Sequence, residues 1–280
     1  MSMNRAAHYG RSALMASALV TLLAAPAAAQ APAPSGPKLA VTGGLDVTNQ
    51  YDFRGIRQNT EGVAIWPYID FGVTGLGKAT LNVGSWNSFN SQINESDFGT
   101  GNKWYESDFY ATVGAAFGKG SLGVTYTSYT SPADLFAHVK ELMFKVGVDD
   151  SSMLGKGALK PYAIVAFELT DDGQADAGKA KGTYVELGVA PGYAGTKASL
   201  ALPIKVGLSG KDYYEFGTGK DDTFGYFSVA GIVTVPFGKA NLHGGVEIQT
   251  FGDNLKNYNG FGDKGDGPAV IGSIGIGFAF

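Results

Sequence analysis

One run of alternating residues limits what this chain can fold into more than any other feature. From Leu39 to Phe53 the odd positions are Leu39, Val41, Gly43, Leu45, Val47, Asn49, Tyr51 and Phe53. The even positions are Ala40, Thr42, Gly44, Asp46, Thr48, Gln50 and Asp52, followed by Arg54. A period of two gives a strand with one apolar and one polar face. Strands of water-soluble domains average about five or six residues, whereas a tilted strand crossing a bilayer needs about nine to eleven. The length argues against an ordinary sandwich.

The pattern recurs. Val63 to Val73 sets Val63, Ile65, Ile69, Phe71 and Val73 against Trp66, Tyr68 and Asp70, and Tyr105 to Phe117 opposes Phe109, Ala111, Val113 and Phe117 to Glu106, Asp108, Tyr110 and Thr112. Leu142, Phe144, Val146 and Val148 oppose Glu141 and Lys145, while Val185, Leu187 and Val189 oppose Tyr184 and Glu186. Further runs lie at Leu200–Leu208 and around Val246 and Ile248, with weaker ones near Thr80–Phe89, Leu122–Thr130, Lys160–Leu169 and Phe224–Val235. With the last run, Ala269 to Phe280, the total is twelve, the even number expected of an up-and-down barrel. The expected fold is all-β: a single transmembrane antiparallel up-and-down β-barrel of about 12 strands over residues 39–280.

A second regularity sits between the runs. Leu76-Gly77-Lys78-Ala79, Phe117-Gly118-Lys119-Gly120, Leu154-Gly155-Lys156-Gly157, Gly195-Thr196-Lys197-Ala198 and Phe237-Gly238-Lys239-Ala240 place lysines 41, 37, 41 and 42 residues apart. Each reads as a tight hairpin tip, with glycine supplying a positive φ and lysine facing water. The other links are long and polar: Gly55–Gly62, Asn90–Lys103, Ser131–Ala137, Thr170–Lys181, Ser209–Asp222 and Gly252–Pro268. Short turns at one rim and long loops at the other match an outer-membrane barrel, with the turns periplasmic. A propeller blade also repeats near forty residues, but it needs four short strands per repeat where this chain offers two long ones.

Composition agrees. The chain has 42 glycines, 12% aromatic and 16% charged residues, and no cysteine, so disulfides cannot hold it. Arg5 and Arg11, the apolar run Ala13–Ala25 and Ala27-Ala28-Ala29 read as a signal peptide over 1–29, cleaved after Ala29 and followed by an Ala/Pro-rich linker over 30–38. Without the leader, 21 basic side chains become 19 against 25 acidic, a net charge of −6. That balance argues against nucleic acid as a partner. Export and strand pattern together place the chain in the outer membrane, among its lipids.

Asn49-Gln50-Tyr51-Asp52-Phe53-Arg54-Gly55-Ile56-Arg57-Gln58 is similar to the opening hairpin of a proteobacterial porin family, the TorF type, and Glu106-Ser107-Asp108-Phe109-Tyr110 also resembles that family. The final strand, ending on Phe280, resembles the carboxy-terminal signal of bacterial outer-membrane barrels, which implies recognition by the barrel-assembly machinery. The resemblance implies a β-barrel pore.

If the apolar face meets lipid, parity turns Asp46, Asp52, Asp70, Glu106, Asp108, Glu141, Glu168, Glu186 and Glu247 inward, against Arg54, Lys145, Lys160, Lys205 and His243. The acidic excess favours cations in a passage for small hydrophilic solutes. Alternatively, the charges pair into a network that plugs a narrow barrel without transport, either structural or serving surface interaction through its six long loops. The same parity places Tyr51, Phe53, Phe89, Phe109, Tyr126 and Phe227 in an outer lipid-facing girdle and Phe71, Phe117, Phe237, Phe278 and Phe280 in an inner one. Arg54 and Arg57 fall at the mouth near Asp52 and Glu61, as entrance guards or salt-bridged rim residues.

Enzymatic signals are weak, and neither an activity nor a cofactor is expected. Gly72–Lys78 approximates a phosphate loop, but Ala79 replaces the required Ser or Thr. Ser128, His138 and Asp134 lie around one outer loop, where a lipid hydrolase would need them, without a tight spacing. Asp253, Asn257, Asn259, Asp263 and Asp266 could hold calcium, but their spacing is not that of an EF-hand, and a solvated loop is the plainer reading.

Overall fold

The computed structural model describes residues 37–59, 61–92, 103–171, 173–178, 180–216, 219–260 and 267–280. The leader, most of the linker, Asp263 and Asp266 lie outside the described residues. Twelve antiparallel strands close into a barrel: β1 (Lys38–Thr48), β2 (Ala64–Leu76), β3 (Ala79–Asn90), β4 (Trp104–Phe117), β5 (Gly120–Thr130) and β6 (Val139–Val148) form one half. The other half is β7 (Tyr162–Glu168), β8 (Thr183–Val189, resuming at Gly192–Ala194), β9 (Ser199–Ala201, resuming at Ile204–Lys211), β10 (Phe224–Phe237), β11 (Ala240–Phe251) and β12 (Ala269–Ala279). Each strand pairs with its neighbours in sequence, and β1 closes the ring against β12 through Thr42↔Ala279 to Thr48↔Ser273. The breaks in β8 and β9 fall at Pro191 and Pro203, which have no N–H to give the ladder. Their carbonyls still accept from Leu202 N (2.8 Å) and Ala230 N (2.9 Å), so the wall stays joined.

Three Gly-Lys copies are two-residue hairpin tips, joining Leu76 to Ala79, Phe117 to Gly120 and Phe237 to Ala240. Gly77, Gly118 and Gly238 take φ of 71°, 62° and 63°, as the first position of a type II′ turn requires. The Gly195 copy is a slightly longer tip, closed by Gly195 N donating to Ala198 O. The Leu154 copy is no hairpin tip. There a short helix, α1 (Ser151–Leu154), and a 3₁₀ turn (Gly155–Gly157) lengthen the link. The Asp150 carboxylate accepts from the backbone N–H groups of Leu159 (3.0 Å) and Lys160 (2.9 Å), an alternative to tight strand pairing.

The molecule is inside-out relative to a water-soluble domain. Val113, Phe117, Ile274, Val246 and Leu242 stand exposed on the outer wall, while Glu106, Asp108, Glu141 and Glu186 are buried inside. Such an apolar girdle suits hydrocarbon rather than water, and a closed ring leaves no unpaired edge. No helix among the described residues is long and apolar enough to cross a membrane, which says nothing about crossing with strands.

The glycine and tyrosine content also has a geometric reason. On the inner face Gly44, Gly84, Gly188 and Gly207 pair directly with Tyr68, Tyr110, Tyr162 and Tyr226 of the adjoining strand. The tyrosine ring lies over its glycine so closely that a Cβ at Gly84 would stand 2.6 Å from the Tyr110 ring. Any larger residue would lift the ring off the wall.

A plugged lumen as candidate functional site

β1 ends at Thr48, five residues short of the expected end. The chain then turns into the barrel as a small hairpin, pairing Asp52 with Arg57 and Phe53 with Ile56. The turn residues Arg54 and Gly55 have φ of 48° and 82°, the two positive values of a type I′ turn. Tyr51 and Phe53 are 2% and 1% exposed, so they do not belong to a lipid-facing girdle. They pack inside: Tyr51 against Trp66, Trp86 and Tyr105, and Phe53 against Tyr129. Period two carried the sequence reading past Thr48 because a buried hairpin alternates in the same way. Burying Phe53 and Ile56 favours this position by about 1.5–3 kcal/mol each.

A buried ion pair fixes the hairpin to the wall. Arg54 Nη1 and Nη2 donate to the two oxygens of Glu141 at 2.6 and 2.8 Å, and Nη1 also donates to Tyr213 Oη at 2.8 Å. Tyr214 Oη donates to the Arg54 carbonyl at 3.0 Å. Burial alone would pull the guanidinium pKa down, but the Glu141 carboxylate outweighs it and holds Arg54 above its ordinary range. Arg54 is thus a plug residue, neither a residue on the wall nor a rim salt bridge to Asp52.

The other long loops add to the plug. The helix α2 (Asp253–Tyr258) inserts Leu255, 1% exposed, and Asn259 donates to Gly55 O at 2.7 Å while accepting from Arg57 N at 3.0 Å. Asn259 is therefore committed to the hairpin rather than to calcium. No group of three acid, His or Cys side chains among the described residues could hold a metal. Asp176 accepts from the backbone N–H groups of Gly178 (2.6 Å), Glu215 (2.7 Å) and Phe216 (3.2 Å), tying two loops together. Burial raises the Asp176 pKa against those donors. Phe136 packs on Tyr105, and Phe216 stacks on Tyr258 at 4.4 Å.

Burial therefore grades along the lumen. On β4 the inward Glu106, Asp108 and Tyr110 are buried, Thr112 and Gly114 half-buried, and Ala116 exposed. On β5 the order from the long-loop end is Tyr129, Thr127 and Thr125 buried, Gly123 half-buried, and Ser121 exposed. Among the described residues, inward side chains are thus buried toward the long-loop end and exposed toward the short-turn end.

The inward charges have separate partners. Glu186 accepts from three phenols, Tyr162 (2.9 Å), Tyr184 (2.6 Å) and Tyr226 (3.1 Å). Asp46 faces His243 at 2.5 Å, Asp70 accepts from Tyr110 at 2.7 Å, and Glu106 accepts from Tyr51 at 2.9 Å. Glu247 pairs with Lys205 at 3.3 Å and accepts from Ser228. Glu168 accepts from the N–H groups of Ala175 and Gly182, both at 2.6 Å. Lys145 stands 4.8 Å over the Tyr162 ring. Asp108 is buried beside Glu106 on the same strand. The sequence reading placed Tyr184 on the polar face without giving it a role, and it missed Tyr213 and Tyr214. A Tyr-Tyr pair inside an otherwise polar loop was the available signal.

Asp52, on the hairpin, accepts from Gln50 Nε2 at 2.7 and 2.9 Å and lies 3.9 Å from Arg57. Burial pushes its carboxyl up to about 7, with Arg57 and Gln50 opposing the rise. A raised carboxyl favours the folded state below the unfolded pKa, and that contribution is lost as pH rises through about 7. Thermal unfolding of the barrel should therefore show a midpoint that falls between pH 4 and 7. Asp52→Asn should flatten that slope, and an unchanged slope would exclude Asp52 as its source.

Outside the wall, Ser128 Oγ and His138 Nε2 are 2.8 Å apart, so the structure joins two residues whose spacing had argued against it. Burial, then neighbouring Lys140, lowers the His138 pKa. No carboxylate is bonded to its other ring nitrogen among the described residues, and Asp134 forms no ion pair with it. A base without an orienting partner is half of a triad.

No protein-family model matches the chain, and no curated protein matches its sequence. Solved structures do. A COG4313 outer membrane channel from Pseudomonas putida F1 aligns at TM-score 0.50 and 13% identity, covering 89% of this chain and 97% of the channel. The fold is that of an outer-membrane β-barrel. The NanC porin aligns at TM-score 0.48 and 10% identity over 86% of this chain and 99% of its own. Outer membrane phospholipase A from Escherichia coli aligns at 0.42 and 11%, over 85% and 92%. At such identities the likeness concerns the fold alone.

Proposed function

We propose that the chain is an outer-membrane channel for small hydrophilic solutes, held shut from the long-loop side by its first loop. One observation carries the reading: a hairpin joined to the wall by the Arg54–Glu141 pair packs into the long-loop end of the barrel, while inward residues toward the short turns, such as Ala116 and Ser121, are exposed. A barrel needing only to be solid would gain more from apolar packing than from a buried ion pair, since such pairs add little net stability. The long loops face the outside and the short turns the periplasm, as the asymmetry of outer-membrane barrels implies. Bilayer lipids cover the apolar girdle, and the strand ending at Phe280 serves the barrel-assembly machinery. The TorF-type resemblance of Asn49–Gln58 falls on the plug hairpin. Inward carboxylates outnumber inward cations, so the open state prefers cations.

Planar-bilayer recording tests the proposal. The wild-type barrel should stay closed for most of a recording, with brief stepwise openings whose reversal potential in a salt gradient indicates cation preference. Anion selectivity would overturn that preference. Silence from a folded barrel, with Glu141→Gln equally silent, would instead support a closed structural barrel.

A further inference from the structure

The pocket around Arg54 is built for a planar cation. Glu141 receives two parallel N–H bonds, at 2.6 and 2.8 Å, the fork geometry a guanidinium supplies and an ammonium does not. Tyr213 Oη takes a third bond at 2.8 Å. The Tyr184 ring lies 4.1 Å from the guanidinium carbon, with the Tyr213 ring at 5.5 Å, close enough for cation–π attraction. Tyr129 Oη donates to Glu141 Oε1 at 3.3 Å and helps orient the carboxylate.

Glu141, Tyr184, Tyr213 and Tyr129 belong to the wall or to another loop, not to the hairpin. When the hairpin leaves, they remain as an aromatic-walled pocket with an uncompensated carboxylate. A buried carboxylate without a partner is costly, so the vacated pocket must take a cation or fill with water.

We propose that this pocket is a binding site for the alkylguanidinium group of a solute, and that Arg54 is its tethered stand-in. A solute carrying that group competes with Arg54 for Glu141, so it both displaces the plug and occupies the site. The inference deepens the channel reading by naming a solute class, and only the passage of that solute depends on the reading.

The test uses the full chain with Arg54→Gly, which removes the side chain and suits the positive φ of the turn. Arg54→Asn, also tolerant of that conformation, is carried alongside so that either folded variant gives the answer. Folding is checked by heat-modifiable gel migration. Methylguanidinium is titrated calorimetrically and, separately, added during bilayer recording. Both variants should bind it saturably, at least tenfold tighter than methylammonium, and should not bind urea, which has similar shape without the charge. Adding Glu141→Gln should abolish binding, and the wild type, already occupied, should bind at least tenfold more weakly. Equal binding with and without Glu141, or equal binding of urea, would overturn the proposal. Binding in a variant that never conducts would keep the site and sink the channel; conduction without binding would do the reverse.

Discussion

Removing Arg54 is expected to open the barrel. The guanidinium is the only group of the hairpin hydrogen-bonded to Glu141 among the described residues, and both charges are nearly inaccessible to water. Breaking such a pair from one side typically costs about 3–5 kcal/mol, because the remaining charge stays buried without a partner. In Arg54→Gly that cost falls on the closed state alone, since an open lumen lets water reach Glu141. Glycine also relieves the left-handed backbone, which offsets roughly 1 kcal/mol of the loss. The balance of about 2–4 kcal/mol corresponds to a rise in open probability of roughly thirtyfold or more. Hydrophobic burial of Phe53 and Ile56 still opposes departure, so the open state should flicker rather than lock. Single-channel records of the variant beside wild type would show it, and a variant as quiet as wild type would mean that the plug rests on its apolar residues.

The second large effect belongs to Glu186. Its two oxygens serve three phenols from three strands, Tyr162 on β7, Tyr184 on β8 and Tyr226 on β10, and Tyr184 also bonds Tyr226 at 3.1 Å. Glu186→Ala removes the common acceptor and strands buried hydroxyls, each costing about 1–3 kcal/mol when left unmade. Tyr184 and Tyr226 keep one bond between them, and half-buried Tyr162 can turn to water, so the net loss should be about 3–5 kcal/mol rather than the full sum. The unfolding temperature of the heat-modifiable band should fall by several degrees or more. Glu186→Gln, which keeps one acceptor oxygen, should fall less. Equal losses in the two variants would show that the charge matters and the acceptor count does not.

The wall was legible in the sequence because period two is enforced by lipid outside and water inside. Twelve runs and three of the Gly-Lys tips stand where alternation and turn chemistry placed them. What failed was local in each case. Tyr51 and Phe53 continued the alternation of β1, but a strand in a hairpin plug and a strand in the wall share one period, and only tertiary packing tells them apart. The Leu154 copy carried the same residues as the other tips, yet the Asp150 carboxylate offered its backbone another partner. The pairing of the inward acids was beyond sequence, since Arg54 and Glu141 stand 87 residues apart and meet only once the ring has closed.

The same pair has a mechanical consequence. The hairpin hangs between β1 and β2, but its grip is on β6, more than a third of the way around the ring of twelve. It therefore works as a spoke, fixing the distance across the barrel as well as filling it. A thin cylinder of paired strands resists stretching along its ladders far better than it resists flattening. In the proposed open state that spoke is absent, and no other group of the hairpin is hydrogen-bonded to Glu141 among the described residues to replace it.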